Sequence, residues 1–288
     1  MGFKFSKKIN FDTFINNYTK ESVYLLGLLW ADGTVNKKNN MISLECIKED
    51  IDYFYPIFQT TGEYGLYIRE RKNRKVQGTI VGTSKELSDF LKENDYTKKS
   101  VLSPNKILSK IPDNLKFYFF LGWSDGDGCF YYHDVLKTSQ YTMSGSYDQD
   151  WNVLEKISEE LNIKYTIQRM VTKMNNKYSA FRITGIDDVI KFGNYIYHNR
   201  TIGLKRKYEK FNIISNHRNE RFLMKILCYS LNNELIREFN SFKEISIWLN
   251  KDGNVYSNIN GVCTGRQKTA FGFKWKKFKY QLNSKDSC

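Results

Sequence analysis

The chain has 288 residues, 41% hydrophobic and 16% aromatic, which is enough apolar material for two or three packed domains and excludes a disordered tail. Its 45 Lys+Arg against 31 Asp+Glu give a formal net charge of +14, an excess that calls for a polyanionic partner, nucleic acid by default. The longest apolar run, Val23 to Ala31, is far short of the roughly 20 residues of a membrane span. The N-terminus MGFKFSKKINFD lacks the apolar stretch of a signal peptide. Five scattered cysteines without a CxxC pair disfavour disulfides and zinc, and three histidines disfavour His-dependent nuclease chemistry. The expectation is a protein that is neither secreted nor membrane-bound, in a bacterial or phage-infected cytoplasm or an organelle.

In chain order, the first predicted element is an apolar helix over LLGLLWADG at 25–33, extending back through Val23 and Tyr24. Two short strands follow at 33–37 and 41–47, then a helix at 50–60 and a hairpin at 64–71 and 75–82. Ser84 caps a helix at 85–93, and 97–112 connects to the next half, ending at Pro112. The order then repeats: a helix at 114–126, strands at 129–135 and 139–147, a helix at 150–161, strands at 164–172 and 178–184, and helices at 187–197 and 204–213. The polar string 215–221 reads as a linker. Beyond it come a hairpin over 225–229 and 234–239, a helix at 242–250 capped by Ser241, a short helix at 255–262, and a basic turn into a strand over 265–278. The predicted class is α+β: two pseudo-symmetric αββαββα halves with antiparallel sheets, at 1–107 and 108–215, plus a small C-terminal DNA-binding domain at 216–288. That last segment holds 13 Lys+Arg against 6 Asp+Glu, half the charge excess in a quarter of the chain.

The repeat is visible in the residues themselves. LLGLLWADG at 25–33 returns 95 positions later as FLGWSDGDG at 120–128, matching Gly27 with Gly122, Asp32 with Asp127 and Gly33 with Gly128. A helix ending in Asp-Gly is commonplace, because glycine closes helices in the left-handed conformation. Two such ends in matching repeats are not. Asp is unfavourable beside the negative end of a helix dipole, and mid-helix Gly27 and Gly122 each cost about 1 kcal/mol relative to Ala. Close packing of the two helices at these glycines would compensate and would set Asp32 beside Asp127. Paired carboxylates on a basic chain point to metal-dependent phosphodiester chemistry.

With these residues in view, the chain resembles the LAGLIDADG homing endonucleases in their single-chain, two-motif form, over about residues 20–213. The resemblance implies two four-stranded sheets forming a saddle on duplex DNA. It also implies divalent metal, normally Mg²⁺ with Mn²⁺ able to substitute, on Asp32 and Asp127, and a double-strand cut that leaves short 3′ overhangs. Trp30 stands where the second copy has Asp125; Trp30 is taken as packing and Asp125 as structural or peripheral. The family's basic residue after the last helix of each half falls on Lys99 in YTKKS, with Lys98 next, and on Lys205 in IGLKRKYEKF. A Gln that positions water in some members is missing from ECIKED at 45–50, leaving Lys48 as a weak stand-in.

For DNA reading, the first-half hairpin offers Arg69, Arg71, Arg74, Lys75 and Gln77, and the second offers Lys164, Gln168, Arg169, Lys173, Lys177 and Arg182. The tail resembles the small NUMOD-type modules appended to homing endonucleases, through SFKEISIWLN, VYSNINGVCTG and GRQKTAFGFKWKKF. Trp248, Phe273 and Trp275 read as its core, and Tyr256, Ser257, Asn258, Asn260, Arg266, Gln267 and Lys268 as its DNA contacts. A monomer acting on double-stranded DNA is expected. The rival is a non-cutting intron-RNA maturase or DNA-binding regulator with the same fold.

Overall fold

The computed structural model describes residues 8–280 except 37, 71–74, 134–137, 173, 199, 220–222 and 252–254. It divides into two compact units, Met1–Ser215 and Asn216–Cys288.

In the larger unit, α1 (Lys20–Asp32) starts at a reciprocal cap. Ser22 N–H donates to Thr19 Oγ1 (3.1 Å) and Thr19 N–H to Ser22 Oγ (3.0 Å), which satisfies two of the orphan donors of a helix N-terminus. The helix runs straight into β1 (Gly33–Asn36), followed by β2 (Met41–Ile47), α2 (Lys48–Gln59), β3 (Gly65–Arg69), β4 (Gln77–Thr83) and α3 (Lys85–Glu93). Ser84 caps α3 by accepting from Leu87 N–H at 3.1 Å. A 3₁₀ turn (Tyr96–Lys98), the one-turn helix α4 (Asn105–Leu108) and a second 3₁₀ turn (Asp113–Leu115) lead to α5 (Lys116–Asp127). The second half repeats the first with β5 (Gly128–His133), β6 (Thr138–Ser146), α6 (Asn152–Glu160), β7 (Tyr165–Val171), β8 (Lys177–Thr184) and α7 (Ile186–Ile196). The sheets are antiparallel, in the orders β1-β2-β4-β3 and β5-β6-β8-β7. The fold is therefore α+β, with two αββαββα halves.

One boundary differs from expectation. The last helix, α8 (Lys205–Asn219), continues through most of the predicted linker. The string there is polar but holds neither Gly nor Pro, and polarity alone does not end a helix.

The centre of this unit is the α1–α5 pair. Ser22 to Trp30 on α1 and Tyr118 to Asp125 on α5 are all buried, so both helices are covered on every side. A Cβ on Gly27 would lie 1.9 Å from Phe119 O, and one on Gly122 2.0 Å from Tyr24 O. The two backbones touch, and they touch with two-fold symmetry: Tyr24 and Phe119 are themselves equivalent positions of the repeat. Gly33 and Gly128 hold a different surprise. Neither is left-handed; both are extended, at φ −70° and −84°. Glycine is needed there for space, since a Cβ would sit 2.7 Å from Leu29 Cα and 2.6 Å from Tyr141 Oη.

The smaller unit contains β9 (Leu223–Tyr229), β10 (Leu235–Phe239), α9 (Phe242–Leu249), α10 (Val255–Cys263) and β11 (Lys274–Tyr280), with the sheet ordered β10-β9-β11. Its own core joins Ile226, Cys228, Phe239, Ile245, Val255, Ile259 and Trp275, with Trp248 and Phe273 packed against it. Trp275 Nε1–H is satisfied by Ala270 O at 2.9 Å. Among the described residues no helix is long and apolar enough to cross a membrane.

Because a methyl at Gly122 meets a main-chain carbonyl that cannot move aside, Gly122→Ala is expected to cost about 3 kcal/mol. In a unit of this size that lowers the melting temperature by about 10 °C, measurable by thermal denaturation followed by circular dichroism.

Candidate active site

The close approach of α1 and α5 brings their C-terminal ends together. Ala31 and Gly126 are equivalent positions that face each other: a Cβ on Gly126 would lie 2.2 Å from Ala31 Cβ and 3.2 Å from Asp32 Oδ2. Asp32 thus lies against the residue that precedes Asp127. Asp127 is half-buried, and its pKa is pushed up to about 6 by burial first and then by the charge of Asp32. Lys99, a hydrogen bond from Trp123 and Lys207 pull it back. Asp32 is more open to solvent; its pKa is also raised by burial of the carboxylate, and by Asp50, against the opposing charges of Lys99 and Lys207.

Beside each carboxylate stands one lysine, and the two are held alike. Lys99 Nζ donates to Leu29 O (3.1 Å), Ala31 O (2.8 Å) and Gly33 O (2.7 Å). Lys207 Nζ donates to Ser124 O (2.9 Å), Gly126 O (3.2 Å) and Gly128 O (2.7 Å). The acceptors are the same three places in the repeat. Each ammonium uses all three of its protons on carbonyls at the end of a helix, where the dipole favours a cation. Burial lowers both lysine pKa values, that of Lys99 to about 8.

Lys205 is therefore not the partner of Lys99. It is exposed and lies 3.7 Å from Glu209. Two residues along a helix turn a side chain by about 200°, so Lys205 points away from the site that Lys207 enters. The sequence did carry a usable signal: a buried anchor three residues earlier, Tyr96 before Lys99 and Leu204 before Lys207.

The halves anchor those segments by different chemistry. Trp30 is buried and meets Tyr96 edge-on, ring centroids 6.0 Å apart, while Tyr96 Oη donates to Leu29 O at 2.8 Å. At the positions equivalent to Trp30 and Tyr96, Asp125 accepts from Leu204 N–H at 2.7 Å. Asp125 also accepts from Tyr24 Oη across the helix pair at 2.7 Å. Far from peripheral, Asp125 is buried, and burial pushes its pKa up to about 6.

The surroundings of the two carboxylates differ as well. On the Asp127 side a cavity of ≈ 180 Å³ is lined by Trp30, Lys99, Ser144, Ser146 and Gln149. Buried Gln149 follows β6 and donates to Leu102 O at 3.2 Å; it stands after the second strand of the second half, the place where the first half, with ECIKED, has no glutamine. On the Asp32 side, Asp50 takes both Arg206 Nε (2.9 Å) and Arg206 Nη2 (2.5 Å), tying α2 to α8. Lys48 is an exposed partner of Asp52 at 2.5 Å.

Strand register sorts the expected DNA contacts. Arg69 and Gln77 are paired on the sheet face away from the helices, and Gln168 and Arg182 lie on the matching face of the second half. Exposed Lys164 precedes β7, and exposed Lys75 lies just before β4. Gln77 Oε1 and Arg182 Nε are buried without a partner among the described residues. Arg169 and Lys177 share the opposite face: Arg169 Nε–H donates to Tyr147 O at 3.2 Å and Lys177 Nζ lies 5.8 Å from the Tyr147 ring. A one-residue offset in a strand reverses the side-chain direction, and the basic run concealed it. Tyr67, Thr79, Thr34 and Ser43 join the open face without having been singled out; Thr34 Oγ1 and Ser43 Oγ are 2.7 Å apart. Arg71, Arg74 and Lys173 lie outside the described residues.

In the smaller unit Tyr256, Ser257, Arg266, Gln267 and Lys268 are exposed, and Asn258 is half-buried. Asn260 turns toward the sheet, its Oδ1 accepting from Lys277 Nζ at 3.0 Å.

The raised pKa of Asp127 has a consequence for stability. The native state binds this proton more tightly than the unfolded chain, whose Asp titrates near ~3.9. The contribution is full below about pH 4 and is lost as the pH rises through about 6. In metal-free buffer, Asp127→Asn is accordingly expected to be more stable than the parent by about 1–2 kcal/mol at pH 7.5, a shift of two pKa units reduced for partial exposure. The gain should shrink as the pH falls below 6, as followed by denaturant titration at several pH values.

No family model matches the chain, and no curated protein matches it. Among solved structures it is similar to the I-LtrWI LAGLIDADG homing endonuclease bound to target DNA, with a TM-score of 0.46, 16% identity, and 69% of this chain and 90% of that one covered. It is similar to the I-SmaMI LAGLIDADG homing endonuclease bound to cleaved DNA, with a TM-score of 0.44, 13% identity and coverage of 74% and 93%. It is also similar to full-length DUF199/WhiA from Thermatoga maritima, with a TM-score of 0.41, 18% identity and coverage of 69% and 61%.

Proposed function

We propose that this chain is a site-specific, double-strand DNA endonuclease of the LAGLIDADG homing type, working as a monomer on a long duplex site and leaving short 3′ overhangs. The observation that carries this reading is the twinned site: two carboxylates at adjoining helix ends, each beside a lysine fixed on three equivalent carbonyls. A structural pair of acids gains nothing from being placed together at the negative ends of two helices.

A divalent metal fits these residues. No cluster of three acidic, His or Cys side chains is present among the described residues. Mg²⁺, however, takes one or two carboxylates, with substrate phosphates and water completing its shell. Asp32 and Asp127 are hard oxygen donors, and burial together with the charge of Asp32 raises the Asp127 pKa, an unfavourable balance that a bound cation would relieve. Mg²⁺ or Mn²⁺ would be held by this pair and would supply acidified water and charge neutralisation at the scissile phosphates. The chain's own residues orient the reaction. Lys99 and Lys207 place a fixed positive charge beside each acid, and the amide of Gln149 lines the cavity on the Asp127 side. Arg69, Gln77, Gln168 and Arg182 present donors and acceptors suited to base edges, and Lys75 and Lys164 suit phosphates. In the smaller unit, α10 and the turn after it offer Tyr256, Ser257, Arg266, Gln267 and Lys268 to the same duplex.

The test is cleavage of a library of long duplexes with Mg²⁺ or EDTA. Asp32→Asn and Asp127→Asn should each abolish double-strand cutting while duplex affinity stays within about threefold; cutting by either variant at the parent rate would sink the assignment. Lys207→Met should slow cutting by about 100-fold and Lys205→Met by less than threefold, on the scale of positioned charge at a reacting phosphate. Tight binding without any cut would transfer the reading to a regulator or to intron RNA. Removing 216–288 is expected to shorten the footprint and weaken binding with little change in single-turnover rate, and an unchanged footprint would refute the role given to the smaller unit.

A further inference from the structure

The sheet of the smaller unit has two faces, and only one is used by its core. Ile226, Cys228 and Trp275 point toward α9 and α10. By alternation, Leu227 and Tyr229 of β9 and Lys274, Lys276 and Phe278 of β11 point the other way. Phe278 is 49% exposed. Tyr229 and Leu227 are half-buried. A groove of ≈ 590 Å³ runs along β11, the edge strand, and is lined from both sides of that strand: by Tyr229, Lys274, Lys276 and Phe278 on the open face, and by residues of the α10 side including Cys263, Lys277, Gln267 and Lys268.

The cations of this face rest on neutral partners. Lys276 Nζ lies 5.3 Å from the centre of the Tyr229 ring, and Lys274 Nζ donates to Asn233 Oδ1 at 2.8 Å. Among the described residues the acid on this face is Glu238, already engaged by Lys225 at 2.6 Å. An anion can therefore recruit Lys274 and Lys276 without breaking an ion pair.

We propose that this face binds a single strand of nucleic acid, with unpaired bases stacked on Tyr229 and Phe278 and phosphates against Lys274 and Lys276. Aromatic rings interleaved with cations on an open sheet are what such a ligand requires, since every base has a π-face and every nucleotide a charge. The registers separate the two rings by four residues of strand, about 13 Å at ~3.3 Å per residue. Bases stacked in a duplex lie ~3.4 Å apart and offer no free faces, so the spacing suits a strand drawn out between the rings. Tyr229 and Phe278 are not among the residues assigned to duplex DNA, although Gln267 and Lys268 of that set border the groove, and the inference does not depend on whether the larger unit cuts.

The experiment uses the full chain and a fluorescent fifteen-residue oligothymidylate, with saturating unlabelled duplex present to occupy the duplex-binding surfaces of both units. The strand should bind and should not be displaced by the duplex. Phe278→Leu and Tyr229→Leu, which keep apolar bulk but remove the ring, should weaken strand binding about tenfold or more, and Phe278→Trp should retain it. Lys276→Gln should reduce the magnitude of the log–log salt dependence by about 0.7. Melting temperature and duplex affinity should be unchanged in all four variants. Independently of any variant, photo-crosslinking of an oligonucleotide carrying 4-thiothymidine should label peptides of β9 and β11. Displacement of the strand by duplex, parent-like binding by both leucine variants, or crosslinks confined to residues before 216 would each overturn the proposal.

Discussion

The larger unit depends on the contact of two helix backbones. At Gly27 and Gly122 there is no room for even one methyl group, so α1 and α5 cross as closely as main chain allows. That closeness carries about one turn along each helix, to where Ala31 meets Gly126 and the next residues are Asp32 and Asp127. The arrangement opposes three electrostatic terms at once: burial of charge, mutual repulsion, and two unfavourable helix ends. The packing of two almost wholly buried helices offsets part of that cost, and burial together with the charge of Asp32 keeps the Asp127 pKa raised. Such a balance, with stability spent at one spot, is common where groups are held ready for a ligand or a reaction.

The lysines show how the same end is reached twice in chains of unequal length. Lys99 follows its aspartate by fewer residues than Lys207 follows Asp127, yet both ammonium groups find the same three carbonyls. What differs is the anchor that brings the segment in, an aromatic pair in one half and a buried carboxylate on a backbone amide in the other. The geometry at the acid is kept while the support behind it has been rebuilt. The Asp50–Arg206 pair on one side and Gln149 on the other extend that divergence to the immediate neighbourhood of the carboxylates.

The smaller unit divides its surface between a helix and a sheet. Its core is compact, built on Trp275, Phe239 and Ile259, and leaves α10 free on one side and a lysine-rich, aromatic face on the other. On about sixty described residues, α10 and the sheet present two different sets of side chains.

Much of this was legible in the sequence for definite reasons. The doubled Asp-Gly ends, the two mid-helix glycines and the alternation of helix and hairpin signals are local patterns, and local patterns fix element type, order and the α+β class. Caps at Ser84 and Ser241 were readable because their chemistry lies within four residues. Other features were decided by contacts between distant residues. Whether Lys205 or Lys207 enters the site depends on which face of α8 is turned inward, and that is set by Leu204 and Asp125. Whether Arg169 lies on the open face depends on strand register, which pairing with β8 determines. Gly33 and Gly128 looked like left-handed caps, and only Leu29 and Tyr141 reveal that they are there for space. The sequence by itself determined the repeat, the elements and the pair of acids, because periodicity and spacing are properties of the chain. The tertiary structure alone decided which cations face those acids and which residues share a surface, because orientation is fixed by partners that lie as far as 156 residues away.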